Sequence, residues 1–473
     1  MDFFSTKYDI IIVGGGISGL FLAYKLSSLN DKKILILEKN DRLGGRIYTH
    51  KNNLHNVVYE AGAARFNTNH TKLITLLKEL KLDKDVMKLK NTDNYVLRNT
   101  NKNYPYKIIT SKGDKLKPDY DLVMEYLFET IEQNKNDESE KTIYTNNYLL
   151  NISFSQLCKD ILGGDGAAFL KDALGYSSEF LYGNAKNMIE IFKTNFTNDQ
   201  EYYIMKSGLS SIINKLELIL NNRSNVKIIK NVIITNVNVI TDSIHYVETL
   251  KKDNYYGKNI ILTIPKKQLL ELPIFNNNNL NNNNNLNNNI NQYLNCVKDI
   301  PLNRIYAKYP NCWYKDIPKT TTDNPIRFFI PINYDSKDSL IMISYTDGDD
   351  ANDWNRLCKF SNSLLISNLH KNCKEIFPEL KNKIPNPDYI NCHYWEAGIH
   401  LWKPECNPDV LYYKIMKPFQ KKNLFIAGES YSMEQGWIEG ALETSYQVLN
   451  ILDLGDYEVV FEKELNFYFQ MVS

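Results

Sequence analysis

Gly14, Gly16 and Gly19 stand at the spacing G-x-G-x-x-G, between the apolar run "DIIIV" and the stretch "ISGLFLAYKLSSL". Glycines so placed let a backbone approach a pyrophosphate, whose charge then rests on the N-terminus of the helix that follows. Glu38 closes the next apolar run, "KKILILE", 19 residues after Gly19. A carboxylate there accepts a bond from a ribose hydroxyl. Taken alone, the glycines fit a structural turn as well; the strand–helix–strand–Glu order points to a dinucleotide. A second cluster is "YEAGAARF", residues 59–66, where Arg65 follows four small residues among apolar neighbours. A guanidinium keeps its charge in a protein, so sheltering it calls for an anionic partner. Glu60 is near in sequence, but its place on the strand turns it away from the residue beside it. A distant acid or a bound ligand must therefore meet Arg65.

The elements that position these residues are legible as periodicities. "DIIIVGGGISGLFLAYKLSSL" and "KKILILEKN" read as a βαβ unit. Helical spacing recurs over 70–81, and "YDLVMEYLFETIEQ" and "GAAFLKDALGY" make most of 117–195 helical. "YYIMKSGLSSIINKLELIL" reads as a turn into a helix that Ser207 or Ser210 caps. Strands are expected in "VKIIKNVIITNVNVI", "SIHYVETL" and "KNIILTIP", and antiparallel ones in "NRIYAKYP", "IRFFIPI" and "LIMISYTDG". "NLFIAGES" is one more buried strand, before the helix "EGALETSYQVLNIL". In the strand before Tyr345, Ile341, Ile343 and Tyr345 alternate onto one face, which predicts that Tyr345 ends a core-facing row. Residues 276–291, "NNNNLNNNNNLNNNIN", are read as a surface insert, because such a tract buries too little apolar area to offset its entropy.

Composition narrows the function classes. With 473 residues the chain holds two or three domains, and 56 Lys and Arg against 55 Asp and Glu leave no basic excess for nucleic acid or an anionic membrane. The seven cysteines include no C-x-x-C pair and the seven histidines no metal spacing. That predicts free thiols, a reducing compartment and no metal site. The apolar runs are too short for a signal peptide or a membrane span, so a cytoplasmic location is expected.

"EKNDRLGGRIYT" adds a second glycine turn, Gly44-Gly45-Arg46, after Glu38, and the far end of the chain carries "NLFIAGESYSMEQGWIEGALET". Together these resemble the flavin-containing amine oxidoreductase superfamily. The resemblance implies non-covalent FAD held by Gly14, Gly16, Ser18, Gly19, Glu38, Gly45, Arg46, Ala63, Ala64, Arg65, Val232, Thr263, Glu429, Gly436, Trp437, Ile438 and Ala441. A helix opening near Glu439-Gly440-Ala441 would stabilise the negative charge of a reduced flavin. Within the superfamily, "EAGAARF" looks like the turn whose Arg clamps a substrate carboxylate in L-amino-acid oxidases. "ISYTDGDDANDW", with Tyr345, Ala351 and Trp354, and Trp395-x-x-Gly398 are most similar to the L-tryptophan oxidase of violacein biosynthesis. By that resemblance Arg65 and Tyr345 share the carboxylate; as residues alone, Arg65 also fits a structural ion pair and Tyr345 also fits a core. Arg304 stands where the superfamily usually has a Lys near flavin N5, and an Arg does not shuttle protons. Ile399 and His400 occupy the positions of the flavin-linking Cys and the following aromatic of monoamine oxidases, so the substrate is expected between His400 and Trp437.

The expected fold is α/β: a discontinuous Rossmann-like FAD-binding domain (1–75, 203–270 and 408–455) with an interleaved α+β substrate domain of mixed sheet and helices (76–202 and 271–407). The expected activity is oxidation of an L-amino acid at Cα–N, giving an imino acid, a 2-oxo acid and hydrogen peroxide, with molecular oxygen as partner. An amine or polyamine oxidase and a flavin-binding scaffold without turnover are the alternatives. Side-chain preference and oligomeric state, a homodimer included, stay open.

Overall fold

The computed structural model describes residues 8–28, 32–89, 93–136, 144–196, 200–241, 244–276, 286–332, 339–380 and 383–453. Strand β1 (Tyr8–Val13) leads through the glycine turn into α1 (Ile17–Leu26) and β2 (Ile34–Leu37). A hairpin of β3 (Thr49–Asn52) and β4 (Val57–Glu60) precedes α2 (Thr71–Glu79). Helices α3 (Tyr120–Asn136), α4 (Asn146–Asn151), α5 (Phe154–Leu174), α6 (Ser178–Tyr182) and α7 (Ala185–Asn195) follow. Next come α8 (Ser210–Asn221), β5 (Val226–Ile229), β6 (Ile234–Val239), β7 (His245–Thr249) and β8 (Asn254–Leu262). The last part holds α9 (Leu286–Leu294), β9 (Val297–Tyr309), β10 (Ser339–Asp347), α10 (Gly348–Phe360), β11 (Tyr389–Trp402), α11 (Pro408–Met416), β12 (Leu424–Ile426) and α12 (Ile438–Asp453).

From Ile10 to Val13 and from Ile34 to Leu37, β1 and β2 are unbroken apolar runs because both faces of their sheet are covered. The order is β5–β2–β1–β8–β12, all parallel, while the first half of β8 pairs antiparallel with β7, and β7 with β6. Gly14, Glu38 and Thr263 thus lie together at the carboxyl ends of β1, β2 and β8, where open α/β sheets bind ligands. α1 packs against α8 and α12, with the Phe21 and Tyr446 rings 4.8 Å apart. The second large sheet runs β11–β9–β10 and continues through Phe328–Pro331, Lys319–Thr322 and Asp93–Val96. Helices α3 to α7 form their own core around Phe154, Phe169, Phe180 and Phe192.

Four expectations need correction. Neither Ser207 nor Ser210 caps α8: Glu60 accepts the Leu209 N–H at 2.7 Å and Thr49 Oγ1 the Ser210 N–H at 3.0 Å, so the cap comes from the β3–β4 hairpin. The Asn-rich tract is not all surface loop. Residues 277–285 lie outside the described residues, but α9 begins at Leu286, and Ile290, 2% exposed, packs with Leu294 and Phe275 in the core. Isolated apolar residues among asparagines become core residues once a helix aligns them on one face. The thiols are not all free, since Cys358 of α10 and Cys392 of β11 form a disulfide across 34 residues, a pairing that no local spacing announces. Finally, Tyr345 does not continue the row of Ile341 and Ile343. Across the β9–β10 ladder Ser344 pairs with Ile305 and Met342 with Tyr306, which leaves Ile343 as a bulge. One extra residue turns the face over. Tyr345 therefore joins Met342 and Tyr306, whereas Ile341 and Ile343 belong to the opposite cluster with Ile305.

Candidate active site

The glycine turn after β1 is built by contacts that exclude side chains. Gly14 has φ +115°, and a Cβ at Gly19 would stand 2.1 Å from the Gly14 carbonyl oxygen, so α1 touches the turn only because Gly19 has none. Gly16 is different: φ is −75°, and nothing lies within 4 Å of where its Cβ would be. That open position lies at a helix N-terminus with no side-chain cap and no acidic residue in its first turn, which suits an anion. Glu38 Oε2 accepts the Gly15 N–H at 2.7 Å, and Oε1 accepts the Asn40 backbone and side-chain N–H groups at 2.9 and 2.7 Å. Thr263 Oγ1 donates within the turn, 3.1 Å from the Val13 carbonyl and 3.0 Å from that of Gly14. Ser18 Oγ donates to the Ala441 carbonyl at 3.0 Å and so ties α1 to α12. The Val232 N–H donates to the Glu38 carbonyl, and the Gly44 N–H to that of Gly15, with Gly45 beside Gly16. Gly428, φ +136°, also leaves the position of a Cβ open. The residues read from the sequence as a dinucleotide cradle are thus neighbours, and the cradle suits a pyrophosphate and a ribose.

Arg46 and Glu429 meet each other. Arg46 donates to Glu429 Oε2 at 2.5 Å and to the Gly398 carbonyl at 3.0 Å. Glu429 also accepts the His400 and Gly436 backbone N–H groups, at 3.1 and 2.7 Å, and lies 2.7 Å from His400 Nδ1. The other imidazole nitrogen faces Asp299 at 3.0 Å. His400 is 0% exposed, so it does not wall a substrate space opposite Trp437 as the sequence suggested; the carboxylates on either side hold it in the interior. A wide irregularity in the β9–β11 ladder, between the pairs Leu302–Trp395 and Ile300–Ile399, brings His400 opposite Asp299.

This network carries a pH signature. Burial pulls the His400 pKa down, but Glu429 and Asp299 outweigh it and raise the pKa above the ordinary 6.5. The stabilisation from His400 is complete below pH 6.5 and is lost as pH rises through the raised value. Glu429 behaves oppositely: burial raises it, and Arg46 and His400 bring it well below 4.5, so its contribution stands above pH 4.5 and fades on acidification. In thermal melts from pH 6.5 upward, the wild-type Tm is expected to decline while His400→Gln, which stays neutral, shows little of that slope. Parallel slopes would remove the imidazolium from the account.

Arg65 is half-buried on the turn after β4, its guanidinium 4.3 Å from the centre of the Tyr202 ring. Among the described residues no carboxylate lies within ion-pair distance of it. Glu60 is spent elsewhere, on α8 and on Thr49 Oγ1 at 3.1 Å. Tyr202 stacks toward Trp437 at 6.4 Å, and Trp437 meets His70 at 4.7 Å. The turn bearing Ala63, Ala64 and Arg65 is gripped from the second sheet. Arg304 donates to the carbonyls of Glu60, at 3.0 Å, and Gly62; Tyr306 Oη donates to that of Glu60 at 2.6 Å; Trp395 Nε1 donates to that of Ala61 at 2.8 Å. Gly62 is required there, because a Cβ would stand 1.9 Å from the Arg46 carbonyl oxygen. Arg304, 9% exposed, is thereby a positioning residue for the turn; its guanidinium also lies 4.4 Å from the centre of the Tyr345 ring, its register partner.

Sequence reasoning missed Tyr202 and Tyr176. The Tyr176 ring meets Tyr345 edge-on at 5.5 Å. Burial, then Tyr345, push its phenol pKa well up, and Arg65 and Arg304 both offset that rise. Tyr176 therefore lies within electrostatic reach of both guanidiniums. Its only local sign is Gly175, which ends α5 at φ +81° and turns the chain toward Phe328.

A profile of the family described as "Flavin containing amine oxidoreductase" matches residues 17–448. The chain belongs to this family. It is accordingly a flavin-dependent oxidoreductase of α/β architecture. Achacin of Lissachatina fulica is 22% identical over 508 residues, covering 92% of this chain and 91% of its own. Flavin-containing amine oxidase A of Equus caballus is 36% identical over 100 residues, 21% of this chain and 18% of that one. Among solved structures, a putrescine oxidase variant superposes with TM-score 0.67 at 14% identity, covering 94% of this chain and 98% of that one. A putative protoporphyrinogen oxidase of an Exiguobacterium species gives 0.66 at 14% identity, covering 95% and 99%. These likenesses establish the fold. Among the described residues no helix is long and apolar enough to cross a membrane.

Proposed function

We propose that the protein is an FAD-dependent L-amino-acid oxidase, acting at the Cα–N bond with oxygen as acceptor and giving an imino acid, then a 2-oxo acid, and hydrogen peroxide. The observation that carries this reading is Arg65: a sheltered guanidinium that meets no carboxylate among the described residues, on a turn that Arg304, Tyr306 and Trp395 hold in place. A substrate carboxylate is the anion it lacks. Arg65, with Tyr345 as second donor, fixes the substrate's orientation, and Tyr202, Tyr176 and Trp437 keep water from it. Bound flavin supplies the two-electron acceptor. In this reading residues 1–75, 203–270 and 408–455 form the FAD-holding part, with Gly16, Glu38 and Gly428 at its nucleotide and ribityl positions, and 76–202 and 271–407 shape the substrate side. The disulfide withdraws the thiol argument for a cytoplasmic location.

A second reading, oxidation of an amine without a carboxylate, draws on Glu179. It is buried, its Oε2 has no partner, and burial with Asp347 nearby pushes its pKa up to about 8. It also lies within electrostatic reach of Tyr176, and such an acid suits an ammonium group. A peroxide-coupled comparison of amino acids with their decarboxylated amines separates the two: faster reaction with the amines would replace the first reading by the second.

The form of the cofactor has its own test. Ile399 stands where covalent members carry cysteine, so denaturing the yellow protein is expected to release all its colour as free FAD. Colour that stays with the polypeptide, or release of FMN, would refute this part.

A further inference from the structure

Cys296 and Cys406 stand far apart in sequence, yet the fold brings them side by side, close enough for each thiol to perturb the other. The backbone shows why. At this end of the β9–β11 ladder the last register pair is Val297 with Trp402. One step beyond, the Lys403 N–H donates to the Cys296 carbonyl at 2.9 Å. The chain then turns through Glu405 at φ +67°, and the Cys406 N–H returns toward the Lys403 carbonyl at 3.4 Å. This tight reversal sets Cys406 beside Cys296. Both are half-buried at the rim of the cluster that contains Val297, Leu294 and Trp402.

The two thiols are unequal. The neighbouring Cys296 thiol lowers the Cys406 pKa, burial opposes this, Lys403 lowers it further and Glu405 partly offsets that. Cys406 and burial raise Cys296, and Lys403 only partly offsets that rise. An attacking thiolate needs a lowered pKa, access and a second thiol close by to resolve the product. The other free cysteines lack that set: Cys158 and Cys373 are buried with raised pKa values, and burial raises Cys312 as well.

We propose that Cys406 and Cys296 form a peroxide-responsive dithiol, with Cys406 as the attacking sulfur and Cys296 as the resolving one. The Cys406 thiolate attacks one oxygen of hydrogen peroxide. The O–O bond breaks, hydroxide leaves and takes up a proton as water, and Cys406 becomes a sulfenic acid. The Cys296 sulfur then attacks the Cys406 sulfur; an S–S bond forms, the S–O bond breaks, and the oxygen leaves as a second water with the Cys296 proton. The dithiol gives up two electrons and two protons, and one peroxide becomes two waters. The crosslink staples the open end of the β9–β11 ladder, close to the Asp299–His400 pair that the same ladder sets in register. Only the source of the oxidant, the protein's own product, rests on the proposed oxidase reaction.

The test uses the whole purified flavoprotein with added hydrogen peroxide, followed by alkylation in denaturant and peptide mapping without reduction. Expected are a peptide joining Cys296 to Cys406, loss of two of the five free thiols, and a Tm raised by a few degrees, since the loop closed is long. In Cys296→Ser, dimedone is expected to trap Cys406 as sulfenic acid; in Cys406→Ser it should not label Cys296. The proposal is overturned if Cys406 stays unmodified, if it proceeds to sulfinic acid in wild type with no joined peptide, or if Cys312 reacts first. Because peroxide is added, these outcomes do not depend on the oxidase reading. A second arm runs turnover on a preferred amino acid with and without catalase, and a crosslink that forms equally in both removes self-generated peroxide as its source.

Discussion

Arg65→Ala is expected to keep its flavin and its fold but to lose most of its reaction with amino acids. The fold survives because Arg65 makes no ion pair among the described residues, and its stacking on Tyr202 at 4.3 Å is worth only about 0.5–1 kcal/mol at a half-exposed site. Catalysis suffers more. Each charge-assisted bond to a carboxylate contributes about 1.5–3 kcal/mol, so kcat/KM should fall by roughly ten- to a hundredfold or more. Arg65→Lys restores part of it, since an ammonium lacks the planar fork. Tyr345→Phe costs less, and the double variant is non-additive because both groups hold one carboxylate. The control is each amino acid beside its decarboxylated amine, with flavin reduction followed anaerobically. Wild type should prefer the acid and Arg65→Ala should lose that preference; an unchanged preference in Arg65→Ala would refute the clamp.

The second large effect separates two glycines of one motif. Gly16→Val is expected to fold and to purify colourless. Its φ of −75° suits any residue and no atom lies within 4 Å of the new Cβ, so the fold loses only about 1 kcal/mol at the helix N-terminus. The added side chain instead fills the space a pyrophosphate needs. Gly19→Val should not yield native protein at all, because its Cβ would meet the Gly14 carbonyl at 2.1 Å and force α1 away from the sheet. Circular dichroism, Tm and visible absorbance distinguish the cases. Full flavin occupancy in Gly16→Val would show that the phosphates sit elsewhere.

Local patterns along the chain determined the glycine turn and the acid at Glu38, because each follows from neighbours within a few dozen residues. The glycine spacing lies between an apolar strand and a helix, and the next strand ends in the acid, all within one stretch of chain; that Glu60 serves the Leu209 N–H instead of Arg65 was settled only by the packing of α8. Tertiary structure decided the rest. A bulge at Ile343 put Tyr345 on the face of Arg304, against the plain alternation of its own strand, because the partner strand's register sets which face a residue takes. His400 became an interior imidazole only when β9 supplied Asp299 and the segment before α12 supplied Glu429. Cys358 met Cys392, and Tyr176 came within reach of both guanidiniums, through contacts between elements far apart in the chain. Periodicity reports which face a residue takes within its own element; its partner depends on how that element packs, and packing is a property of the whole chain.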